Sequence, residues 1–523
     1  MKAKLIGPFI CLIAIIGCIG EYFQLELPTV RFPFNLAREV NFLNPWFGWF
    51  CMFLLFVFGG LMTAKFNSGL RFTPMTIRRI ERFKSIRRGY LSLWIVIVLG
   101  AFASLDHLIV GNEALLVKYN GKNYFPALTR DSEKGEIFGL EGDEGQAPAD
   151  YRKLKKQAEI DKDLSVIMPL IGYAPTGDTV PAISKPLNGE KGILMKSGKP
   201  FSGLASKLYD INKPERKHLR FRYRNGIKDG PADGWDEEGA RVYGAKYVEG
   251  KLVSGSESWN GAGNQKDFLA KKSSTVREVH YAPSPPSYEK DQRHFLGTNS
   301  RGYDVVAYLF GGLQVNFKAA IVYIPLVYIL GVSIGLLMGF FAGWFDIILQ
   351  RIIEILSNIP FLFVVMIAST AVPEKLKESA GLWMILFILL LFGWMGMTYL
   401  MRTSALKEKQ RDYIAASRVI GASTPRILFR HLLPNSIAIV ITLVPFSVSS
   451  LILSLTSLDY LGFGLPAKYA TWGQLLRDGL ENLAAPWLVT SAFMVLVGLL
   501  ILITFIGEAV REAFDPKKFS YYR

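Results

Sequence analysis

Runs of about twenty apolar residues constrain this chain more than anything else in it. A run of that length spans the hydrocarbon core of a bilayer as a helix. Eight such runs occur in the 523 residues: Leu5 to Tyr22, Trp46 to Phe66, Tyr90 to Val110, Leu313 to Trp344, Ser357 to Val372, Leu382 to Met401, Ile437 to Leu458, and Pro486 to Glu508. In lipid every backbone polar group must be satisfied internally, so these runs predict an all-α polytopic membrane protein. Lys2 and Lys4 precede the first run as they would in a signal peptide. Gly17-Cys18-Ile19-Gly20 is a poor cleavage site, so the run reads as an uncleaved helix.

Net charge is +16, and its location matters more than its size. Residues 111–300 hold thirty basic and twenty-six acidic side chains, close to balance. The excess sits beside the apolar runs. Lys65, Arg71, Arg78, Arg79, Arg82, Lys84, Arg87 and Arg88 face only Glu81. Lys407, Lys409, Arg411, Arg418, Arg426 and Arg430 form a second cluster, and Lys517, Lys518 and Arg523 a third. The positive-inside rule puts these segments in the cytoplasm. Eight crossings then predict both termini inside and residues 111–300 outside. Residues 67–88 read in part as an amphipathic helix on the lipid surface, which makes membrane lipid a partner and nucleic acid none.

The external region has no cysteine; Cys11, Cys18 and Cys51 all lie in apolar runs. It must fold without disulfides, and no Cys/His spacing suggests a metal. Leu115-Leu116-Val117, Leu164 to Ile171 and Arg241 to Leu252 suggest strands or short helices, but the density of Gly and charge predicts mixed or irregular structure. Ala282-Pro283-Ser284-Pro285-Pro286-Ser287 reads as a stiff linker back to the membrane. Gly331, Gly335, Gly339 and Gly343 recur every four residues and predict close helix packing. Asp346, Arg351 and Glu354 read as an amphipathic turn at the inner interface, with the last two able to pair.

Between two apolar runs lies Ala415-Ala416-Ser417-Arg418-Val419-Ile420-Gly421, then His431-Leu432-Leu433-Pro434. Small residues allow another protein close to the backbone, and Gly421 allows a sharp helix end. Thr424 before Pro425 reads as an N-cap and first helical position. The segment resembles the cytoplasmic loop of importer-type ABC permeases: Glu-Ala-Ala, three residues, Gly, nine residues, an apolar residue or His, one residue, Leu-Pro. Ala416, Gly421, His431, Leu433 and Pro434 fit, whereas Ala415 and Ser417 depart. His294-Phe295-Leu296-Gly297-Thr298-Asn299-Ser300-Arg301-Gly302-Tyr303-Asp304 is similar to the segment that enters the second core helix in the oligopeptide, dipeptide and nickel branch. There Asp304 is expected to cap the next helix. Trp472-Gly473-Gln474 resembles the same branch, and Gly462-Phe463-Gly464-Leu465-Pro466 with Ile506-Gly507-Glu508-Ala509-Val510-Arg511 looks nearest to the microcin C uptake subgroup.

The resemblance implies a six-helix permease core with two extra N-terminal helices and a large periplasmic insertion. Residues 1–70 would be the extra hairpin, and 71–110 the basic cytoplasmic segment with the first core helix. Residues 111–293 would be the insertion and 294–523 the rest of the core. It further implies a bacterial inner-membrane subunit that pairs with a homologous permease. Two ATPase subunits, or one fused ATPase, would supply ATP and Mg chemistry, this chain binding no cofactor. A periplasmic solute-binding protein would deliver oligopeptides or peptide-like compounds, peptide antibiotics such as microcin C among them. The ATPase-coupling residues would be Asp412, Tyr413, Ala416, Ser417, Gly421, Ala422, Ser423, Arg430, His431 and Pro434.

The residues themselves support no catalysis. Gly462-Phe463-Gly464 lacks the third Gly and the βαβ setting of a dinucleotide site, and reads as a re-entrant outer turn. Gly192 to Lys199 has its glycines one residue too far apart for a phosphate loop, and Pro200 stands where Ser or Thr should hold magnesium. Polar groups in the membrane mark a translocation path: Asn358, Ser447, Ser450, Ser454 and Ser457 are its candidates. A channel, or a membrane scaffold with an external sensory or binding domain, is the alternative from another class.

Overall fold

The computed structural model describes residues 6–22, 53, 56–60, 63 and 74–515, except 106–107, 129–132, 141, 160, 162, 181, 191–192, 197, 211–215, 262–263, 272 and 290–291. Seven of the eight apolar runs fall in helices, and shorter polar helices lie between them: α1 (Ile6–Tyr22), α2 (Pro74–Ser85), α3 (Arg87–Ser104), α4 (Val305–Phe341), α5 (Gly343–Asn358), α6 (Phe361–Ala371), α7 (Glu374–Lys409), α8 (Asp412–Val419), α9 (Thr424–Ile427), α10 (Leu433–Leu461), α11 (Trp472–Glu481) and α12 (Pro486–Phe514). Among the described residues, α3, α4, α7 from Gly381, the α9–α10 continuum and α12 are long and apolar enough to span a bilayer.

The expected span Ser357 to Val372 is instead the second limb of a broken one. α5 and α6 meet at 76° and qualify only as a pair. Pro360 explains the break: it lacks an N–H and disfavours helix at Ile359, whose backbone is extended. The expected span Trp46 to Phe66 lies largely outside the described residues. Where it is described it packs tightly on α1, since a Cβ on Gly7 would meet Thr63 Oγ1 at 2.4 Å and one on Gly59 would meet Cys11 Sγ at 2.8 Å.

The glycine repeat works as close packing for three of its four members. A Cβ on Gly331, Gly335 or Gly339 would come within 2.5–2.8 Å of Met397, Thr398 or Ala405 on α7. Gly343 does not join them. It sits at φ +62, next to Ala342 at φ +55, and begins α5. Two apolar cores hold the helices: one gathers Val365, Leu382, Ile385, Leu451 and Leu455, the other Tyr328, Leu336, Met401, Ile414, Ile427 and Leu432.

Contacts divide the chain into two units: residues 1–175, 307–477 and 492–523, and residues 176–306 with 478–491. The first also carries a three-stranded sheet of Lys122–Tyr124, Leu116–Tyr119 and Leu164–Ile167. The second is more regular than its Gly and charge content suggests. Its main sheet has eight antiparallel strands, running in order Lys251–Leu252, Arg241–Val248, Ile227–Trp235, Lys217–Arg224, Gly203–Leu208, Arg277–Tyr281 and Ala182–Pro186, with Ser258–Trp259 also on Arg241–Val248. Alternation explains it: Leu219, Phe221 and Tyr223 enter a core with Ala205, Ala232, Tyr243 and Ala245, while Arg222 and Arg224 on the same strand are exposed. Several of its glycines serve turns, such as Gly226 and Gly250 at positive φ.

The expected stiff linker is packed rather than free. Ser284 and Ser287 are buried. Ser284 N–H donates to Thr298 Oγ1 (2.8 Å), and Ser287–Glu289 pairs with Gln292–His294 as a hairpin. His294 Nδ1 meets Asp304 Oδ2 at 2.8 Å with both groups buried, so Asp304 has a partner beyond the helix start expected of it.

Candidate functional site

The small-residue segment forms a helical elbow. α7 ends at Lys409 and α8 begins at Asp412, whose carboxylate suits the positive end of the helix dipole. α8 closes on a Schellman motif: Gly421 stands at φ +83, its N–H donates to Arg418 O (2.9 Å), and Ala422 N–H donates to Ser417 O (3.0 Å). α9 then starts one residue before the expected position. Ser423 is the N-cap, extended at φ −66 and ψ 153, with its carbonyl accepting Ile427 N–H (3.0 Å). Thr424 and Pro425 are the first two helical residues; Pro425 fits there because the first-turn N–H groups have no partner inside the helix.

α9 runs through a π-helical turn, Leu428–Leu432, into α10. Pro434 follows immediately. It has no N–H for the Arg430 carbonyl, and a widened turn accommodates the missing bond. Arg430 is exposed, His431 half-buried and Pro434 exposed.

The elbow is rigidly seated. Ile414, Ile427, Leu428 and Leu432 are buried in the core with Tyr328, Phe340 and Met401, and Ala422 packs against it. The Arg418 guanidinium lies 5.3 Å from the Phe340 ring centre. Tyr413 O–H donates to Glu408 Oε2 (2.7 Å) and accepts from Asn435 Nδ2 (2.6 Å). Partial burial and then the Glu408 carboxylate push the Tyr413 hydroxyl above its ordinary range, so it remains a neutral donor. Ser417 Oγ caps back onto Tyr413 O (2.8 Å). Asp412, Ala416, Gly421 and Ser423 are exposed.

Two residues missed as contact candidates dominate the free surface. Val419 and Ile420 are 88% and 85% exposed at the tip of the elbow. They are two adjacent aliphatic side chains exposed on an otherwise basic segment. Apolar residues flanking the glycine of a polar loop were the available signal.

The candidate path residues separate into a stripe and an outlier. Ser447, Ser450, Ser454 and Ser457 are spaced three, four and three along α10 and so share one helical face. Ser450 and Ser457 are exposed and Ser454 half-buried, while Ser447 Oγ meets Tyr328 O–H at 2.9 Å. Leu451, Leu455 and Leu458 occupy the neighbouring face, in the core. Asn358 stands elsewhere, exposed at the α5–α6 bend.

The Gly-Phe-Gly-Leu-Pro segment wraps a buried carboxylate. Asp459 Oδ1 accepts Leu465 N–H at 2.6 Å. Gly462 turns at φ +85, and a Cβ on Gly464 would fall 1.9 Å from Asp459 Oδ1. Trp472 is fully buried, donating to Leu309 O (2.9 Å), and Gln474 bridges Leu465 O and Tyr308 O–H. Among the described residues no group of His, Cys, Asp and Glu could hold a metal.

Comparison with known proteins gives this architecture its place. A family model described as the binding-protein-dependent transport system inner membrane component matches residues 331–520. Inner membrane ABC transporter permease protein YejE of Escherichia coli is 31% identical over 448 residues, covering 86% of this chain and 99% of that protein. Peptidoglycan transport system permease protein YejE of Agrobacterium fabrum is 29% identical over 447 residues, covering 86% and 94%. Dipeptide transport system permease protein DppC of Lactococcus lactis subsp. cremoris is 30% identical over 279 residues, covering 53% and 77%. The two longer alignments contain more residues than lie outside 111–293, so they take in part of the sheet-bearing insertion as well as the helices. Apolar spans, helical elbow and near end-to-end similarity together establish that this chain belongs to the family of multi-pass inner-membrane permease subunits of ABC transporters.

Proposed function

We propose that this chain is the permease subunit of an importer for oligopeptides or peptide-like compounds, driven through the α8–α9 elbow by separate ATPase subunits. The observation that carries the reading is the elbow itself: an exposed Val419–Ile420 tip on a segment seated by Ile414, Ile427 and Leu432. A lever needs a surface to be gripped and a stiff connection to what it moves, and the elbow has both. ATP binding and hydrolysis in the partners would bias the bundle between outward and inward openings. The peptide class follows the relatives, among them the dipeptide permease and the peptidoglycan transport permease.

The same reading places the basic elbow and both termini in the cytoplasm and residues 111–293 in the periplasm, by the distribution of Lys and Arg. A homologous permease would complete the pathway, with the Ser450–Ser454–Ser457 stripe facing it. A solute-binding protein would dock from outside, where the insertion lies.

Ala416→Trp places a bulky group on the exposed face of α8 without entering the core. It is expected to abolish peptide uptake and uncouple ATP hydrolysis while membrane insertion persists. A photo-crosslinker at Ile420 should label an ATPase subunit. Normal uptake by A416W, or labelling only from the periplasmic side, would overturn the coupling role.

A further inference from the structure

We propose that the bend between α2 and α3 is a binding site for anionic phospholipid headgroups. Only Ile86 separates α2 from α3, which is long and apolar enough to span a bilayer, so α2 is held at the membrane surface by connectivity. α2 is two-faced. At 100° per residue Ile77, Ile80 and Phe83 fall within one arc of about 120°, with Lys84 among them, and Glu81, Arg78 and Arg82 fall on the other side of the helix. Met75, Ile77 and Ile80 are 41–55% exposed. Apolar side chains exposed on a surface-held helix are covered by sinking into the headgroup boundary.

The cations divide between two tasks. Arg79 and Arg88 fasten the bend to the end of α12: the Arg79 guanidinium lies 4.8 Å from the Phe514 ring centre, and Arg88 Nη2 lies 3.3 Å from Glu508 Oε2. Gly89 tightens the junction, since a Cβ there would fall 2.1 Å from Ala509 Cβ. Arg78, Lys84 and Arg87 are exposed, with Glu81 the single acid between Pro74 and Arg88. Zwitterionic headgroups carry no net charge to match this excess. Anionic ones do, and each Lys or Arg at the surface strengthens the attraction severalfold. This site goes beyond the coupling reading and stands or falls separately from it.

The test is native mass spectrometry of the purified full chain titrated with phosphatidylglycerol or phosphatidylcholine. The wild type should retain phosphatidylglycerol preferentially. Arg78→Gln with Lys84→Gln should weaken that retention on the order of tenfold and leave phosphatidylcholine unchanged. Arg222→Gln with Lys251→Gln, an equal charge loss at two exposed positions of the sheet, should change neither. If the first pair of substitutions prevents folding, Arg78→Gln alone is compared with the wild type across a salt titration. Three results overturn the site: no headgroup preference in the wild type, equal weakening by the sheet pair, or a photo-crosslinker at Ile77 that labels protein instead of lipid.

Discussion

Arg402 and Asp346 form a two-pronged ion pair between α7 and α5, with Nε to Oδ1 at 2.5 Å and Nη2 to Oδ2 at 2.6 Å. Both side chains are largely withdrawn from solvent, at 19% and 10% exposed. Removing one partner strands the other charge, at a cost on the order of 3 kcal/mol. Asp346→Asn or Arg402→Met should therefore lower the thermal midpoint in nanodiscs. The double variant D346L/R402M should recover most of it, because desolvation of both charges is relieved together. A double variant no more stable than the singles would show that the pair itself contributes net stability.

The glycine contacts make a sharper packing prediction. Gly335 has no room for a methyl group, since Thr398 O lies 2.5 Å from where it would sit. Gly335→Ala must separate α4 from α7 and should destabilise by about 1–3 kcal/mol. Gly396, on α7, has open space around it. Gly396→Ala should be neutral or slightly stabilising, because alanine favours helix. Comparing the two by chemical denaturation isolates the close approach from the change in propensity.

Local pattern carried much of this structure, and distance in sequence hid the rest. The helices were legible because apolar runs of membrane length have few other uses, and the Gly421 turn because glycine at a helix end has one preferred geometry. Pro360 signals the α5–α6 break, but a proline marks a boundary without giving an angle, so the sequence does not show that the two limbs meet at 76°. Sequence places Asp346 in a local turn and is silent on Arg402, which is 56 residues away in the chain; Arg351, only three residues from Glu354, pairs with it at 2.6 Å as the spacing predicts. The eight-stranded sheet was hidden for a related reason. Its charges, Arg220 with Asp233 and Arg241 among them, pair across strands and neutralise one another on a face that looks merely polar in sequence.

The sheet unit contains an acid-sensitive carboxylate with two basic partners. Glu278 Oε2 lies 2.6 Å from Lys196 Nζ and 3.2 Å from His280 Nε2. Burial alone would raise the Glu278 carboxyl; the hydrogen bonds and charges of His280 and Lys196 outweigh it and hold the group down at about 2. A carboxyl depressed in the folded state adds stability that is fully present above its unfolded value, near 4.5, and is lost as pH falls toward about 2. Glu278→Gln should therefore destabilise the Arg277–Tyr281 strand at pH 7, with the difference from wild type shrinking below pH 4.5. Hydrogen exchange resolved on that strand is the measurement. A gap unchanged between pH 7 and pH 3 would assign Glu278 to packing alone.

Gly421 sets the angle at which the elbow leaves α8, and two substitutions separate its conformation from its size. Nothing lies within 4 Å of a Cβ added there, so Gly421→Ala meets only the backbone penalty of the left-handed region, roughly 1–2 kcal/mol. Gly421→Pro is different in kind. Proline cannot adopt φ +83, and it removes the N–H that bonds Arg418 O. The Schellman turn must then open and redirect α9, while Ile414 and the core helices keep the bundle inserted. G421A should retain most uptake, and G421P should lose it while partner ATP hydrolysis continues without substrate control. Uptake and ATPase rates measured together in proteoliposomes decide the matter. If G421P transported normally, the turn geometry would have no part in coupling, whatever docks on Val419 and Ile420.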